Sequence, residues 1–180
     1  MRRLVVIVPL LAFALLAVVL AVGVKRAPQK NIIESPLIGR PAPEFSLPSL
    51  TDPGRTVSSN DLRGRWYLFN VWGTWCPGCR TEHDVLLEIR HSGEVPIIGL
   101  NWKDEDEKAR QWLAQLGDPY EAVAVDRDGR TAIDWGVYGA PETFLVDPQG
   151  TVVYKHIGPL TREVWHEQIR PRLPKQSGAS

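Results

Sequence analysis

An α/β fold with a mixed central sheet and helices on both faces is predicted by three features of this sequence. Apolar segments of strand length alternate with segments of helical period from Trp66 to Trp135. Two of the strand segments, 66–72 and 95–100, are apolar without clean alternation, as expected of strands covered on both sides. The alternation then stops, and the chain closes with a hairpin signal, Asp147-Pro148-Gln149-Gly150, and one amphipathic segment. The chain has 180 residues. Without its apolar leader it keeps about 155, enough for one core and too few for two.

The leader runs from Leu4 to Val24 with no charged or strongly polar side chain. As a helix it spans roughly 31 Å, against about 30 Å of bilayer hydrocarbon. Residues 1–26 are therefore read as an uncleaved membrane anchor. Two alternatives stay open. One is a cleaved signal peptide, for which Ala21-Val22-Gly23 is a passable site although the apolar region exceeds the usual length of about 7–15 residues. The other is a buried soluble helix. Basic residues flank both ends, so orientation must come from the chemistry of the body.

Lys plus Arg equals Asp plus Glu at 21 each, but Arg2, Arg3, Lys25 and Arg26 bracket the leader and every acidic residue lies beyond it. The body is therefore mildly acidic, which argues against nucleic acid as a partner. The whole chain's 43% apolar content and seven Trp exclude a disordered chain. Two cysteines form at most one bridge, which excludes a disulfide scaffold.

Four prolines between residues 27 and 44 mark a linker over 27–40 and an extended lead-in to a domain over 41–175, with 176–180 as a tail. Phe45-Ser46-Leu47 reads as an edge strand, Asp52-Pro53-Gly54 as a turn and Thr56–Ser58 as the returning strand. Asp61 to Gly64 makes a helical turn or loop. Trp66–Trp72 is the central strand. Pro77 stands at the first turn of a helix running to about Arg90, with Val85, Leu86 and Ile89 on its apolar face and Leu87 to one side. Val95–Leu100 is a second buried strand. Asp104–Leu116 is a helix with acidic residues in its first turn and Gly117 closing it. Its charge run, Asp104 to Glu107, reads as a solvated helix start with Asp104–Lys108 and Asp106–Arg110 pairs. Ala122–Val125 is a third strand, Thr131–Trp135 a short helix, Thr143–Val146 and Thr151–His156 a hairpin, and Thr161 to about Arg170 the closing helix.

The chemistry lies in Trp75-Cys76-Pro77-Gly78-Cys79. A strand leads into it and a helix follows, the context in which a C-x-x-C pair reads as redox-active. Cys76 then lies at a helix N-terminus, where free backbone N–H groups and the positive end of the dipole favour thiolate. Cys79, one turn on and expected to be more covered, is the resolving thiol. Competing readings are a zinc or copper site that would borrow His83, a structural disulfide and a peroxidatic cysteine. Zinc lacks a fourth ligand, and Gly73 stands where a peroxidatic site needs Thr. Trp75 is a flat wall beside Cys76 or a core tryptophan.

Three segments resemble the CcmG/DsbE branch of the thioredoxin superfamily: 70–83 around the dithiol, Gly99-Leu100-Asn101-Trp102-Lys103-Asp104, and 136–147 with Gly-Val-Tyr-Gly-Ala-Pro-Glu-Thr. The match covers about residues 35–173. It implies a thioredoxin-like three-layer α/β/α fold behind one N-terminal transmembrane helix, with an inserted strand–helix region at about Pro96–Asp126. It implies that Cys76 and Cys79 form the redox disulfide and that Ala140-Pro141 is a cis peptide facing it. Trp75, Pro77, Glu82, Ala140, Pro141 and Glu142 would border the groove, with Asp126 a weaker acidic candidate. Carboxylates there oppose thiolate formation and can exchange its proton. The spacer departs from relatives that carry Thr where Gly78 stands. The resemblance implies a cofactor-free and metal-free reductant at the bacterial inner membrane, its catalytic domain in the periplasm. Its client would be apocytochrome c or a maturation protein, linked through a mixed disulfide, and a transmembrane thiol carrier would be the electron donor. A sister reductant of the ResA or TlpA type and a copper chaperone for an oxidase are the alternatives.

Overall fold

The central strand of the body, β3 (Tyr67–Trp72), is buried at every residue. The structure, a computed structural model, describes residues 12–17, 19–20 and 35–174. The chain divides into two units, Met1–Glu34 and Ser35–Ser180. Residues 12–17 and 19–20 of the first are helical, with Phe13, Leu15 and Leu20 exposed. No helix among the described residues is long and apolar enough to cross a membrane. Most of the expected anchor, and the tail, lie outside the described residues.

The second unit starts earlier than the linker expectation allowed. Ser35 is buried, Leu37 packs against the core, and Gly39 N–H donates to Val152 O at 2.8 Å. Residues 35–40 thus belong to the body, not to a linker ending at 40. Next come β1 (Ser46–Pro48) and β2 (Thr56–Ser58), an antiparallel pair. A 3-10 turn at Ser59–Leu62 leads to β3.

The main sheet has five strands in the order β5-β4-β3-β6-β7. β4 (Ile97–Trp102) and β5 (Ala122–Asp126) run parallel to β3. β6 (Glu142–Val146) pairs antiparallel with β3, and β7 (Val152–Ile157) with β6. The sheet is mixed, as the sequence predicts. The start of β4 falls at Ile97 because Pro96 supplies no ladder donor.

Side chains alternate across β3 and divide the core in two. Leu68 and Trp72 face α1 (Pro77–Ser92) and α2 (Asp106–Leu116), packing with Leu86, Ile89 and Leu113. Phe69 and Val71 face α3 (Arg130–Asp134) and the N-terminal hairpin, packing with Trp135, Phe144 and Phe45. These layers give the thioredoxin-like α/β architecture.

Helix α1 forms where expected because Pro77 occupies its first turn and Cys79, Glu82, Leu86 and Ile89 repeat along one buried stripe. Gly93, left-handed at φ 66°, ends it. The closing helix differs from expectation. Three α-helical residues (Arg162–Val164) pass into a π turn at Trp165–Ile169 and a 3-10 turn at Arg170–Arg172. Pro171 lacks the N–H that would continue an α-helix, and the wider turn keeps Trp165 and Ile169 both buried.

Trp135 is fully buried and stacks on Phe69 at 4.1 Å between centroids. Trp135→Ala is expected to lower stability by about 3–5 kcal/mol through the cavity left behind. Guanidinium unfolding measures this, and a loss below about 1 kcal/mol contradicts the packing described.

Candidate active site

β3 delivers the chain to Cys76, which is the N-cap of α1 in extended conformation, φ −97° and ψ 110°. Its Sγ accepts the N–H of Cys79 at 3.1 Å, the position a capping oxygen usually takes. Cys76 and Cys79 are joined as a disulfide with Cα atoms 5.3 Å apart. Both are covered alike, 2% and 3% exposed, so the expected difference in cover is not present in this oxidised form. What separates the two sulfurs is position, because Cys76 alone sits at the positive end of the helix.

The described residues place Ala140-Pro141 against the dithiol turn as a cis peptide. A Cβ added at Gly78 would lie 2.8 Å from Pro141 Cδ and 3.2 Å from Pro159 Cγ. The spacer is therefore in van der Waals contact with the proline, and Gly at 78 is what permits that approach. Trp75 is 50% exposed and so is not a core residue. Its indole N–H donates to Trp102 O at 3.2 Å, and its ring meets that of Trp102 edge-on. Tyr138, 66% exposed, rises from the loop on the Pro141 side.

Glu82 lies one turn from Cys79 on the same buried stripe and is wholly buried. Asn70 Nδ2 donates to its Oε1 at 2.8 Å and Leu160 N–H to its Oε2 at 2.7 Å. Asn70 also donates to Thr143 Oγ1 and accepts the Tyr120 hydroxyl at 2.9 Å. Burial pushes the Glu82 pKa up to about 7, against the opposing hydrogen bonds from Leu160 and Asn70. Burial thus brings the titration of this carboxyl near neutrality, one helical turn from Cys79.

Glu142 follows Pro141 but is not brought together with Glu82. It pairs with Val71 in the ladder and shares the face of Phe144 and Val146, whereas Cys79 and Glu82 lie on the opposite face of the sheet. Its Oε1 accepts Tyr138 N–H at 2.8 Å, and its Oε2 pairs with Lys155 Nζ at 2.9 Å, both residues buried. Lys155 also donates to Gly136 O at 2.7 Å and lies over the Tyr138 ring. The pair pins the 136–140 loop and is not, in this geometry, a second carboxylate in the groove with the sulfurs.

Residues 37–169 match the family model described as Redoxin. The thiol:disulfide interchange protein DsbE of Allochromatium vinosum is 46% identical over 172 residues, 96% of this chain and 94% of that protein. The protein of the same name from Escherichia coli is 42% identical over 181 residues, 98% and 97% of the two chains. The chain belongs to the DsbE family of redoxins. A solved structure named for a DsbE thiol:disulfide interchange protein of Chlorobium tepidum superposes with a TM-score of 0.58 at 30% identity, covering 67% of this chain and 84% of that one. This DsbE-family chain is a thiol:disulfide oxidoreductase.

The remaining polar candidates of the family chain are structural. Asp126 is buried and its carboxylate accepts the N–H groups of Thr131 and Ala132, capping α3. His83 has both ring nitrogens engaged, Nε2 with Gly117 O and Nδ1 with the Trp112 indole. Among the described residues no group of three or more His, Cys, Asp or Glu side chains is arranged to hold a metal. Asn70, Tyr120, Thr143 and Lys155 were missed from sequence. Lys155 had a legible signal, since it stands between Val153 and Ile157 on one parity of a strand.

Glu82 gives a pH prediction. Its folded pKa, about 7, exceeds the ordinary 4.5. The folded state then binds more protons than the unfolded state between those values, so this group's contribution to stability falls as pH rises from about 4.5 to 7. Denaturant unfolding across that range is expected to show a decline, up to about 3 kcal/mol, that Glu82→Gln removes. An identical pH slope in the two proteins contradicts this.

Proposed function

We propose that this oxidoreductase is a membrane-anchored periplasmic reductant of cytochrome c maturation. Its client would be the Cys-x-x-Cys-His segment of apocytochrome c, or a maturation protein disulfide-linked to it. The observation that carries the reading is the Cys76–Cys79 pair at the start of α1, packed against cis-Pro141 and flanked by exposed Trp75. Haem attachment needs two free thiols in a compartment where disulfides persist, which calls for a dedicated reductant. Residues 1–26 would be the anchor. The chain enters the body beside Gly150–Val152, the end of the sheet remote from the dithiol, which suits a tether that leaves the reactive end free.

In the reduced protein the Cys76 thiolate attacks one sulfur of the client disulfide and expels the other as a thiolate. A Cys76–client mixed disulfide results. Cys79 then attacks Cys76 Sγ, the client leaves as a dithiol, and the protein keeps the Cys76–Cys79 disulfide. Two electrons pass to the client, and its two sulfurs gain two protons: one is the proton given up by Cys79 and passed on through Glu82, the other comes from solvent, which took up the Cys76 proton when that thiol ionised. Glu82, next along the stripe from Cys79, takes the Cys79 proton as that thiol attacks. Ala140, held by the cis bond to Pro141, presents its backbone to an extended client segment. A transmembrane thiol carrier then reduces the disulfide.

Cys76→Ser is expected to abolish client reduction and Cys79→Ser to accumulate mixed disulfides. Complementation of a strain lacking this protein, with mass spectrometry of the trapped species, measures both. Holocytochrome restored by Cys76→Ser overturns the mechanism. A trap that captures other periplasmic proteins and no apocytochrome or maturation protein overturns the client and favours a sister reductant.

A further inference from the structure

The charge run at the start of α2 contains one residue that does not behave as a solvated helix start. Asp104 precedes α2, and the expected Asp104–Lys108 pair is not formed, since Lys108 pairs with Glu105 at 2.7 Å. The Asp104 carboxylate is turned instead to the loop before the dithiol. Oδ2 accepts Thr74 N–H at 2.6 Å and Asn101 Nδ2 at 3.0 Å. Oδ1 accepts the Thr74 hydroxyl at 2.7 Å and Glu105 N–H at 2.9 Å. Both donors of Thr74 thus end on one carboxylate whose own position is fixed by two further donors.

The backbone that aims this carboxylate is unusual. Lys103 has φ 49°, the one left-handed residue other than glycine among those described. Its N–H donates to Asp126 O at 3.0 Å, and its stem passes where a Cβ on residue 129 would be, 2.4 Å from Lys103 Cε. Gly129, itself left-handed at φ 78°, leaves that space open to the flexible end of the Lys103 side chain. Such a conformation persists where the surroundings hold it, and it gathers at functional sites. Here it bends the chain between Trp102, whose carbonyl receives the Trp75 indole N–H, and Asp104, whose carboxylate receives Thr74. The two residues before Cys76 are each fastened to this turn.

We infer that Asp104 is a positioning residue for the dithiol, holding Thr74 so that Trp75 and Cys76 stand in the geometry needed for attack on a client disulfide. The inference rests on Cys76 being the attacking thiol. Asp104 touches neither sulfur in this account and acts through Thr74. A small displacement of a reacting group costs up to about a hundredfold in rate.

The test uses the full-length reduced protein in detergent, with an oxidised Cys-x-x-Cys-His peptide as probe. Asp104→Ala and Thr74→Val are each expected to slow peptide reduction about tenfold. The double variant is expected to be no slower than either single one, and Thr74→Ser, which keeps both donors, to retain the rate. Thiolate absorbance against pH should move its Cys76 midpoint in Asp104→Ala and Thr74→Val and not in Thr74→Ser, a change that general loss of stability does not produce. Asp104→Asn, which keeps the shape and loses charge and one acceptor, serves if Asp104→Ala does not fold. Folded variants with the parent rate and midpoint overturn the inference, as do losses that simply multiply in the double variant. Cys76→Ser, run alongside, separates the two claims. If it still reduces the peptide, the dithiol reading fails, whereas if only Cys76→Ser is inactive the positioning role alone fails.

Discussion

The hydrogen bond from Cys79 N–H to Cys76 Sγ is the interaction on which the rest of the site depends. A helix leaves its first N–H groups without intrahelical partners, and an N-cap side chain satisfies one of them. Sulfur does this poorly as a neutral thiol and better as an anion. The capping position thus joins the folding of α1 to the ionisation of its reactive atom. Everything around serves to keep Cys76 there: β3 fixes where the chain leaves the sheet, Pro77 starts the helix, and the Trp102–Asp104 turn fastens the two residues before it.

The sheet then sorts the acidic groups. Two buried glutamates, both singled out from sequence, end on opposite faces because strand parity separates Thr143 from Glu142. Glu82, on the buried face of the dithiol helix, sits in a closed network with Asn70, Tyr120 and Leu160, and its raised pKa follows from burial. Glu142 is ion-paired to Lys155 and holds the loop before Pro141. Removing one member of such a buried pair leaves the other uncompensated, at a cost of about 3–5 kcal/mol. One carboxylate is hydrogen-bonded on the dithiol side of the sheet and the other ion-paired on the far side.

The dithiol, its proline and the alternating strands and helices were legible from sequence because each depends on short-range pattern: the spacing of two cysteines, an apolar run without alternation, a proline at a helix start. Adjacency to Pro141 suggests a groove position for Glu142, whereas its strand parity with Phe144 and Val146 assigns it to the far face. Asp104 is hidden in the sequence for the opposite reason. Four acidic residues in a row look alike in sequence, and only the left-handed turn at Lys103 sets one of them apart. The body also reaches back to Ser35, since the edge strand β7 accepts a partner from what composition marked as linker.

The most direct test of this account is the pH dependence of alkylation in the reduced protein, followed cysteine by cysteine by mass spectrometry. A cap at the helix start predicts that Cys76 reacts first, with a midpoint well below the ordinary thiol value of about 8.5, while Cys79 stays unreactive in the folded state. A Cys76 midpoint at or above about 8.5, or Cys79 reacting first, would contradict it.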